Sequence, residues 1–274
     1  MDLIGRGNAL KSLALVLAAS RWATADSLSG SARTERYWDC CKPSCSWSDH
    51  GRFMGDPVES CGIDDAPLTD FTAGTGCNGG SAYSCATQSP WAVNDTFSYG
   101  FVGVYIDRRT EDHWCCSCYH LNFTEGPVAG KTMIVQAHNS AYDTDIDDNK
   151  FTIAVPGGNT SFAGACSDQY GVPESTFGVE NQGVRTRDDC QNLPEPMIGG
   201  CMWRFDWYEN AENPRVDFKR VSCPSELINI TGCIRRDEND FNSTSSASLT
   251  RSTSHSLVAS LFMGGALAIF LQLL

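Results

Sequence analysis

Residues 36–47 read Arg36-Tyr37-Trp38-Asp39-Cys40-Cys41-Lys42-Pro43-Ser44-Cys45-Ser46-Trp47. One carboxylate stands here among aromatic rings and three cysteines. Disulfides through those cysteines would hold the backbone around Asp39 still, and catalysis depends on such positioning. An Asp that merely caps a turn is the plainer reading of the residue alone. Working outward, all 14 cysteines lie between Cys40 and Cys233. An even number in a chain bound for an oxidising compartment implies seven disulfides, whose pairing the sequence alone leaves open. A metal at Cys115-Cys116-Ser117-Cys118 is the competing reading. It fails because no second C-x2-C pair stands at zinc spacing.

Both ends of the chain point outside the cell. Residues 1–25 carry Arg6 and Lys11, a short apolar run from Leu13 to Ala19, and a small-x-small site at Ala23-Thr24-Ala25. That order predicts a secretory signal peptide, because the run is shorter than the ~20 residues a membrane span needs. A buried N-terminal helix is the alternative. Residues 257–274 are uncharged and mostly apolar, preceded by a Ser/Thr-rich stalk over 242–256. Small residues, a polar spacer and an apolar tail predict a glycosylphosphatidylinositol anchor, attached at Ser243, Ser245 or Ser246. The rival is a C-terminal membrane helix. The tail is short for that, and no Lys or Arg follows it. Either reading leaves 26–241 as one extracellular domain, anchored to the outer leaflet of the plasma membrane or the cell wall. N-x-[ST] sequons at Asn94, Asn122, Asn159, Asn229 and Asn242 fit such a surface-glycosylated protein.

The formal net charge is −13, and loss of residues 1–25 makes it more negative, since they hold three basic residues and one acidic one. Nucleic acid is therefore excluded as a partner, because phosphate contact needs positive charge. A neutral polymer suits the balance; solubility alone would also explain it. Strand-like alternation runs through 97–106, 133–137, 150–155, 202–208 and 216–221. Turn signals fall at Pro156-Gly157-Gly158, Gly199-Gly200 and Asn213-Pro214. Residues 89–99 and 186–192 are expected to be short helical pieces. The pattern predicts a mainly β barrel or sandwich with long disulfide-tied loops. The histidines show no ligand spacing, so no metal and no cofactor is expected.

The segment 36–47 resembles the N-terminal signature of family 45 glycoside hydrolases, which are endo-acting cellulases. Further blocks share the resemblance: Gln88-Ser89-Pro90-Trp91-Ala92-Val93-Asn94-Asp95, Trp114-Cys115-Cys116-Ser117-Cys118-Tyr119, Gly126-Pro127-Val128-Ala129-Gly130-Lys131, Val155-Pro156-Gly157-Gly158, Cys201-Met202-Trp203-Arg204-Phe205-Asp206-Trp207 and Cys223-Pro224-Ser225-Glu226-Leu227. Together they cover roughly 34–238. The resemblance implies a six-stranded double-psi β-barrel crossed by a substrate groove. It also implies the pairs Cys40–Cys166, Cys41–Cys77, Cys45–Cys115, Cys61–Cys85, Cys116–Cys233, Cys118–Cys223 and Cys190–Cys201. The implied molecule is a monomer that acts on a cellulose-like β-glucan.

An inverting glycosidase needs two carboxyl groups ~6.5–9.5 Å apart, one taking a proton from water and one giving a proton to the leaving oxygen. Asp39 matches the family's general base. The family's general acid falls on Thr152, which has no acidic proton to give. Asp145 matches a third family carboxylate and is the candidate substitute acid. Nearby Asp147 and Asp148 are more simply read as a solvated acidic loop or a weak calcium site. Glu35 stands where the family has Thr; it either crowds Asp39 with like charge or points to solvent. Tyr37 and Trp47 match groove aromatics, whose flat faces suit the C–H faces of sugars. Trp38, Trp91, Trp114, Trp203 and Trp207 are expected in the core. Three functions are carried forward: an endo-β-1,4-glucanase, a non-hydrolytic glucan binder of the expansin kind, and a structural surface glycoprotein without sugar binding.

Overall fold

The computed structural model describes residues 28–63, 65–142, 148–160 and 162–238. The expected leader, stalk and tail lie outside the described residues, as do Asp145, Asp147 and Asn242. Among the described residues there are nine strands: β1 (Ser29–Tyr37), β2 (Ser60–Cys61), β3 (Pro67–Leu68), β4 (Trp91–Asn94), β5 (Phe97–Tyr105), β6 (Cys118–Phe123), β7 (Thr132–Ser140), β8 (Lys150–Ala154) and β9 (Arg215–Val221). The α-helices are α1 (Glu111–Trp114), α2 (Ala165–Tyr170), α3 (Glu195–Asp206) and α4 (Ser225–Thr231).

Six of the strands close on themselves. The order is β5-β7-β6-β9-β1-β8, and β8 pairs back onto β5. Closure removes the exposed sheet edges that invite aggregation. β1 runs parallel to β8, and β5 parallel to β7. The closed six-stranded barrel and the mainly β class agree with the resemblance.

The alternation that suggested strands is what fills the barrel. In β6, Tyr119, Leu121 and Phe123 are buried while His120 and Asn122 are partly exposed. In β9, Val216 and Phe218 point in while Asp217 and Lys219 point out. In β8, Phe151 and Ile153 join the same core, and Thr152 faces the other way. Fully burying a side chain of this size contributes ~1.5–3 kcal/mol. A second apolar cluster lies outside the ring, built on Trp38, Phe101, Ala154, Met197 and Leu227.

Seven disulfides join the loops to the barrel: Cys40–Cys166, Cys41–Cys77, Cys45–Cys115, Cys61–Cys85, Cys116–Cys233, Cys118–Cys223 and Cys190–Cys201. These are the seven pairs named from the resemblance, and no cysteine is free.

Three local expectations are corrected. Residues 202–208 are not a strand: most of them form the end of α3, which begins at Glu195 after Pro194. Gly199-Gly200, read as a turn, lies inside that helix. A Cβ at Gly200 would come within 2.7 Å of Ser89 Cβ and 2.8 Å of Pro156 Cδ. The residue is therefore small so that α3 can press against the loop after β8. Residues 89–99 are not helical but supply β4 and the start of β5, joined by an Asx turn in which Asn94 Oδ1 accepts from Thr96 and Phe97 N–H. Residues 186–192 do contain a helical piece, a 3₁₀ turn over Asp188–Asn192.

Candidate active site

Asp39 lies two residues beyond the end of β1, between Trp38 and Cys40. Trp38 N–H is tied to Asn159 O at 2.8 Å, and Cys40 is bonded to Cys166. Asp39 is 9% exposed, and its Oδ1 accepts from Cys41 N–H at 3.0 Å. Burial disfavours its charge and pushes its pKa up to about 6, against the partial offset of that N–H. A carboxylate poised near neutrality takes up a proton more readily than an ordinary one.

Beside it stands Tyr37, the last residue of β1. Its hydroxyl lies 2.8 Å from His138 Nε2 and accepts from Asn139 Nδ2 at 3.1 Å. His138 Nδ1 lies 2.8 Å from Gln88 Oε1, and Gln88 Nε2 donates to Glu59 O at 2.7 Å. That backbone oxygen can only accept, which leaves Gln88 Oε1 as an acceptor and His138 Nδ1 as its donor. His138 Nε2 is then the bare nitrogen, and the Tyr37 hydroxyl donates to it. Burial pushes the His138 pKa down to about 3, so the ring stays neutral. Burial and the nearby Asp39 charge hold the Tyr37 phenol well above its ordinary value. The tyrosine thus keeps its proton, gives it to His138 in a hydrogen bond, and accepts one from Asn139.

Trp47 follows the 3₁₀ turn Ser44–Ser46. Lys42 Nζ sits 3.5 Å over the Trp47 ring and donates to Phe71 O and Ala73 O. One face of the indole is therefore covered by a cation. Trp38, Trp114, Trp203 and Trp207 are buried, and Trp91 is half-buried.

The outward face of β1 and β8 adjoins Tyr37. Glu35 is the register partner of Thr152 in the parallel pairing. Glu35 Oε2 lies 2.7 Å from Lys150 Nζ, an ammonium on an almost fully buried side chain. Thr152 Oγ1 donates to Gly103 O at 3.3 Å, and a Cβ on Gly103 would come within 2.9 Å of that hydroxyl. Asp148 is held elsewhere, by Arg215 at 3.0 Å. Glu35 also borders a polar cavity of about 510 Å³ together with Asn159, Gln182 and Arg204. Arg204 is buried in α3 and donates to Gly157 O and Val184 O, which fixes the Pro156-Gly157-Gly158 turn; Gly157 has φ +72°. Burial and the neighbouring Arg36 charge lower the Arg204 pKa to about 10.

Sequence reasoning missed Gln88, His138 and Asn139. Their spacing carries no signal, because β7 and the loop before β4 bring them to Tyr37 only in the fold. Among the sequons, Asn94 and Asn229 are exposed, Asn122 and Asn159 partly so.

Residues 30–234 match the model of glycosyl hydrolase family 45. The chain belongs to that family. A putative endoglucanase type K of Fusarium oxysporum is 45% identical over 214 residues, 78% of this chain and 56% of that protein. The chain thus spans little more than half the length of this fungal relative. An endoglucanase of Cryptopygus antarcticus is 38% identical over 207 residues, 76% of this chain and 90% of that one. The crystal structure of the cellulase from this Antarctic springtail superposes with a TM-score of 0.71 at 38% identity, covering 76% of this chain and 99% of that chain. An endoglucanase of Phaedon cochleariae is 37% identical over 208 residues. The family 45 domain accordingly occupies nearly everything between the expected leader and stalk.

Proposed function

We propose that this family 45 protein hydrolyses internal β-1,4-glucosidic bonds of cellulose or a related β-glucan with inversion at the anomeric carbon. The observation that carries the reading is Asp39: a buried carboxylate of raised pKa, followed directly by two disulfide-bonded cysteines and set near the oriented Tyr37 hydroxyl. In this reading Asp39 takes a proton from the attacking water as the water oxygen bonds to C1. Tyr37 and Trp47 line the groove for sugar units. No metal is required, since both proton transfers belong to side chains. In the same reading the apolar stretch 257–274 serves as an anchor signal, and the enzyme works as a monomer at the outer cell surface in wall remodelling or polysaccharide breakdown.

The test is reducing-end release from carboxymethylcellulose and mixed-linkage β-glucan by the protein made in a secretory host. Proton NMR of the first products from cellohexaose would read the anomer. The α-anomer is expected; initial β-anomer would contradict inversion. A second reading, a glucan binder without hydrolysis, is favoured by Thr152 at the position of the family acid. Tight glucan binding with no reducing ends at any pH would support it.

A further inference from the structure

We infer that Glu35 is the second catalytic carboxyl, the proton donor to the leaving glucosyl oxygen. The inference rests on the hydrolytic reading above and names the group that reading lacks. The family places Thr before its Arg-Tyr-Trp-Asp signature and an acid on the strand before Pro-Gly-Gly. Here those two positions hold Glu35 and Thr152, and they are direct register partners in the parallel β1–β8 pairing. Neighbouring strands lie ~4.8 Å apart, and register partners present side chains to the same face. The carboxyl and the hydroxyl have thus exchanged strands without leaving the groove wall.

Reach supports the exchange. Glu35 and Asp39 are four residues apart, so at ~3.3 Å per residue their Cα atoms are at most ~13 Å apart. An inverting pair needs its carboxyl groups ~6.5–9.5 Å apart, a separation that lies within this bound. Glu35 alternates with Tyr37 on one face of β1 and is 36% exposed along its side chain. Asp148 pairs with Arg215, Glu111 with His50 at 2.9 Å and with the Ser140 hydroxyl, and Glu35 with Lys150 at 2.7 Å; what sets Glu35 apart from the other two is its register pairing with Thr152.

The step balances. Glu35 takes up a proton from solvent as it leaves Lys150, and gives that proton to the glycosidic oxygen as the C1–O bond breaks. Water bonds to C1 from the opposite face and yields its proton to Asp39. Glu35 is left as a carboxylate, and the Lys150 ammonium, 2.7 Å away in the free protein, receives it. Proton exchange with solvent restores both groups.

The test compares Glu35→Gln, Asp145→Asn and the double exchange Glu35→Thr with Thr152→Asp in the full secreted protein. Two substrates are used: a β-glucan, and a dinitrophenyl β-cellotrioside whose leaving group needs no proton. For Glu35→Gln a loss of ~10²–10⁴-fold is expected on glucan, with the aryl substrate cut by less than ~10-fold. The double exchange is expected to recover at least ~10-fold over Glu35→Gln. An active natural protein whose Glu35→Gln variant keeps its glucan rate overturns the role of Glu35 alone. So does an equal loss on both substrates, which marks a binding or folding defect. A large loss on glucan in Asp145→Asn alone assigns donation to Asp145 and also overturns it. A natural protein inert on both substrates overturns the hydrolytic reading, and Glu35's role with it.

Discussion

The Tyr37 hydroxyl donates to His138 Nε2 across 2.8 Å, and that one direction is forced from the far end of a hydrogen-bonded chain, at the Glu59 carbonyl. Gln88, His138 and Tyr37 each have their donors and acceptors assigned in turn. A ring that met a rotatable hydroxyl at random would leave Tyr37 free to point its proton at Asp39. Here the proton is committed to His138, and the oxygen accepts from Asn139.

Replacing His138 by Leu therefore strips partners from both Gln88 Oε1 and the Tyr37 hydroxyl. A stability loss of ~1–3 kcal/mol is expected from the orphaned buried groups. Glucanase kcat is expected to fall while KM changes little, because Tyr37 loses its orientation rather than its ring. Tyr37→Phe, which keeps the ring, should match the kcat loss. Denaturant melts and steady-state kinetics on one glucan check this, and an unchanged kcat in both variants would refute it.

Asp39 carries a strain that depends on pH. Its folded pKa of about 6 lies above the ordinary 3.8. The native protein therefore binds this proton more tightly than the unfolded chain does. The group favours folding below about pH 4, and that contribution is lost as pH rises to about 6. Asp39→Asn is expected to be more stable than the natural protein above about pH 6, by no more than ~3 kcal/mol, and no more stable below about pH 4. Its glucan hydrolysis should fall by ~10²–10⁴-fold. Melting temperatures of both proteins at about pH 3.5 and about pH 8 decide the matter; the same shift at both would count against it.

Activity of the natural protein has a matching acid limb. Asp39 must be ionised to take the water proton, so kcat/KM on glucan is expected to fall tenfold per pH unit below about 6. A profile flat from about pH 6 to about pH 4 would remove Asp39 from the role of base.

Trp47 has one face under Lys42 Nζ, which leaves the ring's remaining surface to meet sugar. Trp47→Ala is expected to raise KM on cellohexaose ~10-fold with kcat within ~3-fold, since stacking acts in ground and transition states alike. Isothermal titration with cello-oligosaccharides in an Asp39→Asn background measures the binding directly.

Gly103 and Thr152 touch across the β5–β8 pairing. A Cβ at Gly103 meets Thr152 Oγ1 at 2.9 Å, so Gly103→Ala is expected to cost ~1–3 kcal/mol, as overpacking does. Adding Thr152→Ala should recover much of it. Additive losses in the double-mutant cycle would contradict the contact.

Much of this molecule was legible before any coordinates. Alternation placed β5, β7, β8 and β9, because a barrel strand has one face in the core and a period of two shows it. The segment 36–47 carried Tyr37, Asp39 and Trp47 together, because neighbours in sequence stay neighbours in space. Residues 202–208 misled, because an aromatic-rich helix buried on several sides shows no clean period, and the glycines that let α3 pack closely look like a turn. What only the tertiary structure decided is whatever joins distant strands. Glu35 and Thr152 are 117 residues apart and each looks like a departure from the family; the β1–β8 register makes them a single exchange. The proton direction at Tyr37 likewise depends on Gln88 and His138, which only barrel closure brings to it. Sequence fixes which groups are available along one strand, while hydrogen-bonded register between strands fixes which of them face each other.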